Sequence, residues 1–139
     1  MNHATHASWQ KGMAFKVELD GHHFEIDAAA EHGGENLGPK PKGLVLSGLA
    51  GCTGMDVVAI LNKMRMPFDS FDVAVVGELT EEHPKHYNRI TVVYTFTGTA
   101  LDEKKIEKAV RLSQENYCGV SEMLKHAAEI SHEIRLNPA

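Results

Sequence analysis

Thiols are scarce in this 139-residue chain, which has only Cys52 and Cys118. They stand 66 positions apart, which excludes a CxxC motif. Residues 1–8 are polar and lack the basic-then-apolar pattern of a secretory signal. Two cysteines in such a chain point to a reducing compartment, and the expected location is the cytoplasm. A disulfide there is more often transient and catalytic than structural. A basic stripe is missing as well. The net charge is -5 with acids and bases mixed along the chain, which argues against nucleic-acid binding. The longest uncharged apolar run, residues 43–55, ends at Asp56. It falls short of the roughly 18 residues that a membrane span needs, so no membrane partner is expected. Neither GxGxxG nor GxxxxGK followed by serine or threonine occurs, so no phosphate-cradling loop is expected. No Cys/His pattern has zinc spacing, so the reading assigns no cofactor and no metal. His83 and His86, beside Glu81 and Glu82, come nearest to a ligand cluster, but loop histidines are common without an ion. There is no internal repeat, and the length suits one domain over residues 1–139.

What is present reads as α+β. His3 and His6 fall in a stretch expected to be mobile. Met13, Phe15, Val17 and Leu19 alternate with more polar residues, which predicts a strand. Asp20-Gly21 then signals a hairpin, and Phe24 and Ile26 continue it. Residues 28–40 carry three glycines and a proline and read as a loop. Residues 41–66 are apolar nearly all round, the mark of a buried helix. Pro41 suits its first turn, and Pro67 stops it. Some 25 residues at ~1.5 Å each give a rod of roughly 37 Å. A chain this short covers such a rod poorly, which predicts a dimer that shares it. A second hairpin follows, with strands through Phe71–Val73–Val75–Leu79 and Ile90–Val92–Tyr94–Phe96. Helical spacing recurs around Ile106, Ala109, Val110, Ser113 and Tyr117, and again from Val120 to Ala127. Cys118-Gly119 marks the break between these helices. Ile130, His132, Ile134 and Leu136 alternate as a closing strand.

The chemistry centres on the thiols. Cys52 lies in Gly48-Leu49-Ala50-Gly51-Cys52-Thr53-Gly54. Three helical glycines cost ~1 kcal/mol each relative to alanine, so close packing or open space beside the sulfur must offset them. Read from its residues alone, Cys52 is equally a small buried apolar side chain. Cys118 falls at the start of a helix, where the dipole lowers a thiol pKa, and that local argument makes it the more acidic of the two. Its bland reading is a buried helix-end cysteine. Ser47 and Ser121 lack a triad-like context and read as structural.

Two segments bear a resemblance. Gly38-Pro39-Lys40-Pro41, with Leu44-Val45-Leu46-Ser47-Gly48-Leu49-Ala50-Gly51-Cys52-Thr53-Gly54-Met55-Asp56-Val57-Val58, resembles the central cysteine helix of the OsmC/Ohr superfamily. Ser113-Gln114-Glu115-Asn116-Tyr117-Cys118-Gly119-Val120-Ser121 is similar to that family's second-cysteine segment. The order of elements agrees along nearly the whole chain. The resemblance implies an OsmC-like fold with a long buried central helix, two hairpins and a two-helix C-terminal part, assembled as an intertwined homodimer. It implies a thiol-dependent peroxidase for organic hydroperoxides in oxidative-stress defence. Cys52 would be peroxidatic, Cys118 resolving, and an external thiol or dithiol the reductant.

The chain also departs from that pattern. The hydroperoxide reductases of the family place an arginine on an early strand and a glutamate near the start of the cysteine helix. Here no arginine precedes Arg65, and the helix opens on Lys42 and Gly43. The candidate thiolate activators are therefore Lys42, Lys11, Lys16 and, for the carboxylate, Glu35. The departure motivates a second reading: a non-enzymatic member of the fold, either a redox sensor or a binder of a small apolar ligand.

Overall fold

Asp20 and Gly21 take positive φ, 50° and 77°, and the chain reverses on them. They join antiparallel strands β2 (Ala14–Leu19) and β3 (His22–Ile26), with Leu19 opposite His22. Strand β1 (Thr5–Lys11) adds to the other side of β2, giving the order β1-β2-β3. His6 therefore lies in a paired strand, not in a mobile terminus; pairing with β2 orders that segment. The alternation also differs from expectation. Ala14 and Val17 are buried, while Met13, Phe15 and Leu19 are exposed. The Asp27 carboxylate accepts hydrogen bonds from the backbone N–H groups of Ala28, Glu35 and Leu37 at 2.8, 3.0 and 3.2 Å, which pins the glycine-rich loop. A side chain at Gly38 would collide with the Glu25 carbonyl, so only glycine lets the loop pass there.

This is a computed structural model of residues 1–139, with two compact units, Met1–Val45 and Leu46–Ala139. Helix α1 (Pro41–Lys63) begins at the end of the first and runs into the second. It opens on Pro41, whose missing N–H costs nothing in a first turn. It ends before Arg65, at φ 54°. By length and composition alone α1 could cross a membrane. One or two charges do not disqualify such a helix, so the shortness of the uncharged run does not exclude it. Within the second unit, however, Leu49, Thr53, Val57 and Leu61 recur every four residues and are buried. The helix is thus buried along one stripe only, and Val45 and Met55 are exposed.

The stripe packs into one core with Ile90, Val92, Tyr94 and Phe96 of β5 (Tyr87–Thr97). That strand pairs antiparallel with β4 (Ser70–Leu79) and parallel with β6 (Glu129–Leu136). Phe71 stacks on Phe96 at 4.3 Å between ring centres, and Phe68 meets Phe96 edge-on at 5.6 Å. Parallel strands need a long crossover. Here it carries α2 (Glu103–Leu112), a π-helical turn (Ser113–Tyr117) and α3 (Gly119–Leu124). Asp102 caps α2 by accepting from the N–H groups of Lys104 and Lys105, and Ile106, Ala109 and Val110 fill its buried face. The π-helical turn was not foreseen. The break at Cys118-Gly119 falls where expected.

Candidate functional site

Cys52 sits in mid-α1, and Cys118 is the N-cap of α3. The Sγ atoms of Cys52 and Cys118 and a carboxylate oxygen of Asp56 all lie within 4.8 Å of one another. The 66-residue gap closes because α1 and the crossover share one core, with Cys118 in it and Cys52 against it. Both thiols are free. Cys52 is half-buried, whereas Cys118 is 2% exposed. Asp56 joins them because it lies four residues after Cys52, on the same helical face. That Cys-x-x-x-Asp spacing was the signal in the sequence that could have found it.

The helix-start position does not make the Cys118 thiol acidic. Burial pushes it up, and the neighbouring Cys52 sulfur adds to the rise. The Ser121 backbone N–H reaches Cys118 Sγ at 3.4 Å and works the other way, but burial outweighs it. A single N–H in a short helix offsets desolvation only in part.

From Asp56 runs a hydrogen-bond chain that is buried at its middle, and its direction follows from its end. Ser113 Oγ donates to Asp56 Oδ2 at 3.0 Å, since a carboxylate only accepts. Ser113 has one hydroxyl proton, so Thr53 Oγ1, 2.8 Å away, must donate to it. Tyr94 Oη then donates to Thr53 at 2.7 Å and accepts from Gln114 Nε2 at 2.5 Å. Ser121 Oγ donates to Gln114 Oε1 at 3.1 Å. Burial is also the main cause that raises the Tyr94 hydroxyl pKa, which keeps it a donor. Donors aligned head to tail polarise one another. The chain thus runs from the residue that bonds Cys118 to the carboxylate beside Cys52. Ser121, read as structural, belongs to it. Thr53, Tyr94, Ser113 and Gln114 were missed, because apolar periodicity does not report which polar side chains meet inside a core.

The glycines around the sulfurs now have a reason. A Cβ at Gly48, one turn before Cys52, or at Gly51 or Gly119, would meet no atom within 4 Å. These glycine positions therefore face open space, whereas Cys118 itself is buried. Gly54 differs, since a Cβ there would touch Val73 at 3.4 Å.

Lys11 and Glu35 pair with each other at 3.9 Å within the first unit, both well exposed. Lys16 stands opposite Glu25 in the β2–β3 register. Lys42 precedes Cys52 by ten residues on α1, about 15 Å along its axis at ~1.5 Å per residue. In the His83/His86 loop, His86 Nδ1 lies 2.7 Å from the Pro84 carbonyl oxygen, and the group of potential metal donors is at the cysteines instead.

Comparison with known proteins identifies the family and the fold. A family model described as OsmC-like protein matches residues 33–133. Protein YhfA of Escherichia coli K12 is 34% identical over 125 residues, covering 89% of this chain and 90% of that protein. A hypothetical protein from Aquifex aeolicus VF5 superposes with a TM-score of 0.83 at 28% identity, covering 99% of both chains. The organic hydroperoxide resistance protein OhrB of Bacillus subtilis shares the fold, with a TM-score of 0.65 at 20% identity and 97% and 98% coverage.

Proposed function

Because this chain belongs to the OsmC-like protein family, we propose that it is a thiol-dependent peroxidase that reduces organic hydroperoxides in oxidative-stress defence in the cytoplasm. The observation that carries the reading is the convergence of the Cys52 and Cys118 sulfurs within 4.8 Å beside Asp56. Cys52, half-buried where Cys118 is buried, is the attacking sulfur. Asp56 takes the thiol proton as the sulfur attacks the O–O bond. One oxygen stays on Cys52 as a sulfenic acid, and the alkoxide leaves as the alcohol with the proton. Buried Cys118 then attacks the Cys52 sulfur, a disulfide forms and water leaves. An S–S bond is about 2.05 Å long, so the sulfurs must close part of their separation. An external dithiol restores both thiols by exchange.

Lys42, Lys11, Lys16 and Glu35 stand as candidates for supporting the thiolate, and replacing each while titrating Cys52 ranks them. The proposal includes a single functional domain and a homodimer. Exposed Trp9, Met13, Phe15, Val45 and Met55 support a second copy. So does a groove of about 490 Å³ flanking α1, lined by Ala50, Gly54, Val58, Phe71 and others.

The test measures hydroperoxide consumption with dithiothreitol. The wild type turns over, and Cys52→Ser abolishes turnover. Cys118→Ser leaves a trappable sulfenic acid but no intramolecular disulfide. Full turnover by Cys52→Ser would sink the proposal. One observation favours a second reading: no arginine precedes Arg65, and the cysteine helix opens on Lys42 and Gly43 without a glutamate. On that reading the chain is a redox sensor, which forms the disulfide without multiple turnover.

A further inference from the structure

Cys52, Asp56 and Cys118 present three donors that have no cation among them. Asp56 takes part in none of the ion pairs in the structure. Three such groups repel one another when ionised, and a bound cation reverses the sign of that interaction. Three atoms within 4.8 Å of one another share a centre no more than about 2.8 Å from each, close to the Zn–S distance of about 2.3 Å and the Zn–O distance of about 2.0–2.2 Å. The donors reach those values by moving less than about 1 Å. Two thiolates and a carboxylate are a soft-to-borderline set suited to zinc rather than magnesium or calcium. The carboxylate is already oriented by the Ser113 hydroxyl, as second-shell partners orient metal ligands. Cys52 and Asp56 are only half-buried, which leaves the donor group reachable from solvent.

We propose that the reduced protein binds one zinc-class divalent cation through Cys52 Sγ, Cys118 Sγ and Asp56, with water as the fourth ligand. Binding displaces the two thiol protons. The bound ion occupies both sulfurs, so it excludes their disulfide. Oxidation by a hydroperoxide releases it: two thiolates, the peroxide and two protons give the disulfide, the alcohol, water and the free cation. Metal binding needs only the geometry of the three donors, whereas release by peroxide rests on the proposed activity.

The test titrates the reduced, chelator-stripped full chain with Co²⁺. The expected result is one ion per chain, with a near-ultraviolet thiolate-to-cobalt band and tetrahedral visible bands, both displaced by Zn²⁺. Cys52→Ser and Cys118→Ser, checked for folding by circular dichroism, each diminish the thiolate band. Serine keeps an N-cap oxygen at position 118. Ser113→Ala weakens binding about 10- to 100-fold, the usual effect of losing a second-shell partner. Cobalt bound without a thiolate band would mean attachment to the exposed histidines and would overturn the proposal. A band undiminished in either cysteine variant would also overturn it. Peroxide turnover is measured separately on metal-free protein. Metal binding without turnover leaves this inference standing and removes the peroxidase reading, and the reverse result does the opposite.

Discussion

Asp27 shows how one side chain holds a loop of the first unit. Its carboxylate accepts three backbone N–H groups, from Ala28, Glu35 and Leu37. The bonds from Glu35 and Ala28 hold its pKa below the ordinary carboxylate value, against the effect of burial. A carboxylate whose pKa is lower in the folded state stabilises the fold above its unfolded value, about 3.9. That contribution is lost as the pH falls through the folded value. Asp27→Asn is therefore less stable than the wild type at about pH 7, and the gap narrows by about pH 3. Urea unfolding at both pH values checks this, and a gap that does not change with pH refutes it. Residues at the sulfurs obey the same logic of burial. Cys118 is pushed up by it, and the half-buried setting of Cys52 makes that sulfur the accessible one.

Elements are decided by which stripe finds a partner. Of the 23 residues of α1, the buried ones are Leu49, Thr53, Val57 and Leu61. Leu61→Ala removes a fully buried side chain from the shared core and should cost about 2–5 kcal/mol. Met55→Ala removes one that is 75% exposed and should cost the isolated chain much less. Chemical denaturation of both variants compares them under dissociating conditions, and equal losses would contradict this account of the stripe. The π-helical turn at Ser113–Tyr117 carries Ser113 and Gln114 of the hydrogen-bond chain. Its closing bond, Cys118 N–H to the Ser113 carbonyl at 2.8 Å, ends the turn at the cysteine. Such single π-turns recur at functional sites.

At the scale of the whole molecule, the proposed second chain would cover apolar surface such as Val45 and Met55. The expected outcome is a sedimenting species of twice the chain mass, which Met55→Lys shifts toward monomer without unfolding it. A wild type that stays monomeric at high micromolar concentration would remove the dimer from the proposal. Cys52, Asp56, Cys118 and the hydrogen-bond chain that joins them all come from residues 46–139. The metal titration and the cysteine assays can therefore be read whatever the oligomeric state.

The order of elements was legible in the sequence because periodicity, Asp20-Gly21, Pro41, Pro67 and Cys118-Gly119 are local signals with local causes. The two cysteine segments were legible for the same reason, as contiguous motifs. Strand β1, the parallel β5–β6 pairing and the exposure of Phe15 were not, because each depends on which neighbour a strand meets. The third donor was within reach, since Asp56 follows Cys52 by one helical turn. Only the tertiary structure could bring Cys118 to them across 66 residues and run the hydrogen bonds from Ser121 to Asp56. Packing α1 against the crossover sets those distances, and sequence spacing carries no information about them.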